Sequence, residues 1–288
     1  MTTTTPGLGP GLDALTRVWV RVTGRRVDLD AAPWLAGPTG DVDRVGHSWL
    51  ERERLRWDGR YADPDGEAGL LTSMELLDGP GFSAADLRPE VRDFYERTSR
   101  WRLQVWGQWS PVAWPFGWLV SALFGRRLEQ LALPLRPLEV AHGMSSEVRP
   151  VLGTDGQVVG TAWLRRLRGS GRTVFSGWYG VHRPPESPGP SVRVVFPLPH
   201  GRLVVLLRPQ ATPDGSLLLT SGHAPWGADG AYLVVQPPGR VRGWARRIPV
   251  HEVFHVHVDD EGVLRTDHEI RLWRLQVLRL HYRLDPVD

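Results

Sequence analysis

The chain contains no cysteine and no lysine. Without thiols there are no disulfide staples, no Cys-ligated zinc, no iron–sulfur cluster and no thiol nucleophile. Without Lys there is no Schiff-base chemistry, no lysine-bound pyridoxal phosphate and no P-loop lysine. No dinucleotide fingerprint occurs either, so no cofactor is expected. Long apolar runs are also missing: the longest, 112–124, is about 13 residues, short of the ~20 that cross a bilayer. The opening MTTTTPGLGPG lacks the basic start and apolar stretch of a secretory signal. It reads as a flexible tail over 1–10, and a soluble, cytoplasmic protein is the default expectation.

What is present is ordinary globular composition, with 41% apolar and 23% charged residues over 288 positions. That length admits one large domain or two coupled ones. The 35 basic residues, all Arg, face 32 acidic ones, for a net charge of +3. The sequence pI near 9.8 is inflated by Arg, which does not deprotonate. Residues 1–144 carry 17 Arg against 19 acidic side chains and residues 145–288 carry 18 against 13, a mild asymmetry that implies no specific nucleic-acid partner.

Helical signals predominate over 11–140. Leu12 to Thr23 and Asp41 to Trp57 carry apolar residues at helical spacing, and the charged run Glu51 to Arg54 is expected to face outward. Ser83 is a candidate N-cap, and Pro89 fits the first position of a helix with Val91, Phe94 and Tyr95 as its stripe. Trp101 to Trp109 alternates with period two and reads as a strand. A further helix is expected from Pro115 to about Leu131. Over 141–288 short apolar runs alternate with Gly- and Pro-containing turns, as in an antiparallel meander. The last of these runs is read as one strand from Leu264 to about Leu284. Val194 to Phe196 and Val204 to Leu207 are apolar without alternation, so both faces there are expected to be covered. The predicted fold is therefore α+β: a helical N-terminal part packed on a C-terminal antiparallel β-barrel or strongly curved sheet, as two regions or one continuous domain.

His251-Glu252-Val253-Phe254-His255 matches the HExxH zinc-protease pattern, whose chemistry needs a helix to bring both imidazoles to one metal. The surrounding Val250 to Val258 is β-branched and alternating, so a strand is predicted and the match is a coincidence. Asp259 to Val263 suits a type I turn with Gly262 left-handed. The register that follows pairs Val258 with Leu264, Val256 with Thr266, Phe254 with His268 and His257 with Arg265. One face then holds Phe254, Val256, Val258, Leu264, Thr266, His268 and Ile270. The other holds His251, Val253, His255, His257, Arg265, Asp267, Glu269 and Arg271. That second face is either a solvated outer surface or a polar site in which His251, His255 and His257 hold a metal. Alternating His and Arg with Asp267 would also suit an anionic head group.

Trp101, Trp106, Trp109, Trp114 and Trp118 cluster in sequence, with Trp163 and Trp178 further on. They are either large core side chains or the lining of a cleft for an apolar ligand. Trp114 to Phe124, followed by Arg126 and Arg127, also has the make-up of an interfacial segment, so peripheral membrane contact is a further reading. Arg165, Arg166, Arg168 and Arg172 form a basic patch of the kind usually solvated. Ser145 and Ser146 near His142 lack the G-x-S-x-G elbow of a serine hydrolase.

Ala162-Trp163-Leu164-Arg165, the strand series after it, Arg246-Arg247, and Leu280-His281-Tyr282-Arg283-Leu284 resemble an uncharacterised bacterial domain family of unknown function, over about residues 130–284. The family pattern has an aromatic residue where Leu167 stands here. The resemblance implies β architecture and no activity. The leading expectation is binding of a small apolar or amphipathic molecule in a Trp-rich cavity between helices and sheet, with Trp101, Trp106, Trp109, Trp114, Trp118, Trp163 and Trp178 as its lining. The alternatives are an enzyme, metal-dependent or not, built on the His251/His255/His257 face, and an interaction module without catalysis.

Overall fold

The computed structural model describes residues 9–40, 48–62, 67–110, 144–168 and 173–287. Three α-helices occur among them: α1 (Gly9–Thr23), α2 (Ser48–Arg56) and α3 (Pro89–Glu96). The strands from the front of the chain are β1 (Arg25–Asp28), β2 (Arg60–Tyr61) and β3 (Trp101–Trp109). Then follow β4 (Met144–Leu152), β5 (Val158–Leu167), β6 (Thr173–His182), β7 (Ser191–Leu198), β8 (Gly201–Ala211) and β9 (Leu217–Thr220). The remainder is β10 (Gly230–Val235), β11 (Arg242–Ile248), β12 (Val250–Val258), β13 (Leu264–Leu272) and β14 (Leu275–Pro286).

All ladders between these strands are antiparallel, and they branch at β8. Its first part pairs with β7 on one edge and β10 on the other, while Arg208 to Ala211 pair with β9. One arm runs through β7, β6, β5 and β4 to β2, a second through β10 and β11 to β1, and a third through β9, β12, β13 and β14 to β3.

The expected helical front on a barrel or curved sheet is not what forms. The chain is mostly antiparallel sheet, 50% strand against 18% helix, and the sheet does not close into a barrel. Among the described residues the ladders end separately at β1, β2 and β3, and none of these ends pairs with another. Among the described residues there is no helical layer, and the helix expected from Pro115 to about Leu131 lies outside them. Pro and Gly at Pro33, Gly37, Pro38, Gly69, Gly79, Pro80 and Gly81 break the front into turns. Much of what covers the sheet is therefore irregular chain and 3-10 turns, Pro33–Leu35 and Met74–Leu77 among them. The run expected as one strand from Leu264 is a hairpin, β13–β14, turning at Trp273 and Arg274. Trp273 takes the left-handed conformation (φ 53°), which a bulky side chain rarely adopts and which no Gly in the sequence advertises. Of the charged run on α2, Glu53 is buried while Glu51 and Arg52 are exposed.

The unalternating runs are covered on both faces. Val192, Val194, Phe196, Val205 and Leu207 join one core with Leu70, Met74, Phe94 and the β12–β14 side chains Val256, Leu264 and Leu284. Val195, Val204 and Leu206 point the other way, into a second core with Trp34, Leu35, Trp49 and Leu50. Two buried guanidiniums pin the 33–36 segment onto this second face. Arg193 Nη1 donates to the Pro33 and Ala36 carbonyls at 2.8 Å each, and Arg202 Nη1 to Leu35 O at 3.2 Å. Burial depresses both, Arg193 to about 10 and Arg202 to about 9.

Candidate functional site

The β12–β13 hairpin has the register expected from its alternation, Val258 opposite Leu264 through Phe254 opposite His268. Its turn closes with Gly262 N–H donating to Asp259 O at 3.0 Å, and Gly262 is left-handed at φ 77°. HExxH therefore lies on a strand. His251 and His255 share a face but stand roughly 13 Å apart along the chain, so they cannot converge on one ion as a helix would allow.

The apolar face looks inward. Its odd member, His268, is buried, with its ring stacked on Phe254 (centroids 3.7 Å, 15°) and Nε2 2.9 Å from Glu252 Oε2. The polar face is continued by β14 and β3: Asp267 stands opposite His281, and His281 opposite Trp106. His255, Asp267, His281, Trp106, Gln108 and Arg279 line an open groove of about 570 Å³.

The donor atoms of two of these, His255 and Asp267, and of the neighbouring His257 lie within 4.8 Å of one another. The two imidazoles stack at 4.5 Å, and His257 Nδ1 is 3.9 Å from Asp267 Oδ2. The other carboxylate oxygen, Oδ1, is held at 2.7 Å by His281 Nδ1. Arg265 Nη1 sits 3.3 Å from His281 Nε2. Arg265 can only donate, so Nε2 accepts and Nδ1–H donates to Asp267, which assigns the His281 tautomer from the network. Burial, then the neighbouring His257, lowers the pKa of His255 and favours the neutral, ligating imidazole. Arg279 and Arg271 bracket Glu269 at 2.8 and 2.7 Å along the groove wall.

His251 lies elsewhere. Its ring lies tilted against His223, centroids 3.5 Å apart, and its Nδ1 faces Ser221 O at 3.4 Å. Of the expected trio, then, His255 and His257 come together and Asp267 replaces His251. Asp267 was visible on the polar face, but its closeness to His255 follows only from their being opposite partners in the ladder. His281 escaped the sequence reading because it enters through the unrecognised β13–β14 hairpin.

The tryptophans occupy several places. Trp101 and Trp163 belong to the inner core, Trp101 edge-on to Phe94 and Trp163 edge-on to Phe175 and Tyr179. Trp178 lies on the opposite face of the sheet, against Trp49. Trp109 packs partly buried near Val105 and Leu278, whereas Trp106 is exposed beside His281. Trp114 and Trp118, with the expected interfacial segment to Arg127, lie outside the described residues. One further group stands out in the inner core. Arg165 is buried, its guanidinium lies 5.3 Å over Trp163 and 5.4 Å over Tyr282, and its Nε has no hydrogen-bond partner among the described residues. No α-helix among the described residues is long and apolar enough to span a membrane.

Compared with protein-family models, curated proteins and solved structures, the chain has no match.

Proposed function

We propose that this protein binds a divalent first-row transition metal, of the zinc type, through His255, His257 and Asp267. The supporting observation is the convergence of two imidazoles and one carboxylate within 4.8 Å, with His255 and Asp267 lining a groove. Two nitrogens and one oxygen suit zinc and its neighbours rather than calcium or magnesium, which prefer all-oxygen shells. Three protein ligands leave coordination positions free for water or a small anionic ligand entering from the groove. His281 supports the carboxylate as outer-shell partners of metal ligands commonly do. In the test, purified protein is stripped with chelator, reloaded with zinc, desalted and analysed for metal. About one equivalent is expected in the parent and less than a tenth of that in His255→Ala/Asp267→Asn. Equal retention by parent and variant, or none in either, overturns the proposal.

A second reading is favoured by Arg165. A buried cation facing two aromatic rings, with no carboxylate paired to it among the described residues, suits the acid group of an amphipathic molecule whose tail lies along the Trp163 and Tyr282 side chains. Fatty-acid titration followed by Trp fluorescence should saturate in the parent and fail in Arg165→Met; an unchanged response in that variant removes this reading.

A further inference from the structure

Helix α1 is amphipathic in the wrong sense for a helix that only covers a core. It packs against β10 and β11, and Val20 is its fully buried apolar side chain. Leu15, Val18, Trp19 and Val22 follow the i, i+3, i+4, i+7 spacing of a single stripe. Yet they are 64%, 54%, 41% and 76% exposed. An apolar stripe turned to water is a surface waiting for an occupant.

The flanks indicate which one. Arg21, Arg25 and Arg26 are exposed at the end of α1 and in β1. From β11, Arg246 reaches over Trp19 (4.7 Å to the ring) and donates from Nη1 to Thr23 O at 2.7 Å. Arg21 lies 5.5 Å over Trp244, and Arg26 stands opposite Trp244 in the ladder, whereas Arg25, opposite Ala245, turns to the other face of the sheet over Trp226. Among the described side chains Asp28 and Asp30 are acidic groups close in sequence to this patch, and Asp28 already faces Arg242 at 3.6 Å. The stripe is thus rimmed by cations held in place on aromatic rings. A second copy docked through the same stripe would set these Arg groups against one another. A nucleic acid would meet the cations but leave Leu15, Val18 and Val22 without an apolar partner. A surface that is both anionic and apolar just below its charge satisfies both parts of the face.

We propose that α1 docks this protein on anionic lipid bilayers, with Leu15, Val18, Trp19 and Val22 entering the acyl boundary while Arg21, Arg26 and Arg246 meet the head groups. The docking is independent of the metal groove and is expected to survive chelator treatment. The experiment is sedimentation of the full chain with vesicles of phosphatidylcholine alone or mixed with phosphatidylserine. Binding is expected at least tenfold tighter to the serine-containing vesicles, and weaker at high salt. Val18→Asp/Val22→Asp changes only exposed side chains, so its thermal melt should match the parent while vesicle binding drops at least tenfold. Arg21→Gln/Arg26→Gln should lose most of the preference for serine lipid. Equal binding to both vesicle types, no binding to either, or full binding by the aspartate variant overturns the proposal. So does a dimer in the parent that the aspartate variant dissolves, since the occupant would then be a second copy.

Discussion

Gly160 sits in β5 where a methyl group has no room. A Cβ built there would lie 2.3 Å from Cε2 and Cζ2 of Trp178 and 2.6 Å from its Nε1. Ordinary carbon contacts are about 3.5–4 Å, so the indole would have to retreat by more than 1 Å. It has nowhere to go: Trp178 is 1% exposed and meets Trp49 edge-on at 6.1 Å, while Trp49 Nε1 is tied to Ser176 Oγ at 2.8 Å. Overpacking against so rigid a neighbour belongs at the upper end of the usual range, about 3 kcal/mol. Removing a glycine from a strand returns roughly 0.5–1 kcal/mol. Gly160→Ala is therefore expected to lower stability by about 2 kcal/mol, or roughly 4–8 °C in Tm. Urea unfolding followed by far-UV circular dichroism measures it. The decisive comparison is made in a Trp178→Leu background, where the clash is absent and the same change should be neutral or slightly stabilising. If the two substitutions add to within about 0.5 kcal/mol, the indole is not what excludes the methyl group and the steric reasoning fails.

Other outcomes follow from single contacts. His281→Ala removes the proton donor that orients Asp267 and should weaken zinc retention by roughly 10–100-fold without abolishing it, measured by chelator competition. His182 has its pKa lowered from 6.5 to about 4 by burial and by the Arg193 charge. The folded state therefore disfavours its protonation. Nothing is lost above pH 6.5, and stability declines as pH falls from there towards 4, where the unfolded chain takes up the proton first. Allowing for its partial solvent contact, that loss is about 1–2 kcal/mol, and His182→Gln should flatten the pH dependence of urea midpoints by that amount. Arg165→Met removes a buried cation with no carboxylate partner among the described residues, so its stability should be unchanged or higher by up to about 2 kcal/mol. A loss above 1 kcal/mol would mean the contacts with Trp163 and Tyr282 outweigh desolvation.

Legibility in the sequence tracked how local the cause was. The β12–β13 register could be worked out because two nearby signals agree: Gly262 at the turn and a clean apolar alternation on either side. The strand Trp101–Trp109 and the start of α3 at Pro89 were visible for the same reason. The β13–β14 turn was not, because its left-handed residue is Trp273 rather than Gly or Asn. Missing that turn hid His281, and with it the proton donor to Asp267. The branch at β8 was hidden for a different reason: an apolar strand says nothing about which neighbour takes each half of its edge. For α1, spacing reveals that two unlike faces exist. Which of them meets the sheet is decided by residues on β10 and β11, far away in sequence.

The groove depends on side chains that never touch it. Strand geometry sends alternate residues to opposite faces, so any force that holds Phe254, Val256, Leu264 and Leu284 inside also holds His255, His257 and Asp267 outside. A slip of one residue would gather His268 with the other histidines and look, on paper, like a richer metal site. It would also turn Leu264 on β13, and Leu284 paired with it on β14, each under 3% exposed, into water. At 1.5–3 kcal/mol for each buried aliphatic side chain, the two together outweigh any single added ligand contact. His268 stays on the inner face because Glu252 receives its Nε2 and Phe254 stacks on its ring. The spacing of the His255, His257 and Asp267 donor atoms is thus fixed by core packing on the reverse of the sheet. Metal binding should therefore add stability to this hairpin without reorganising it.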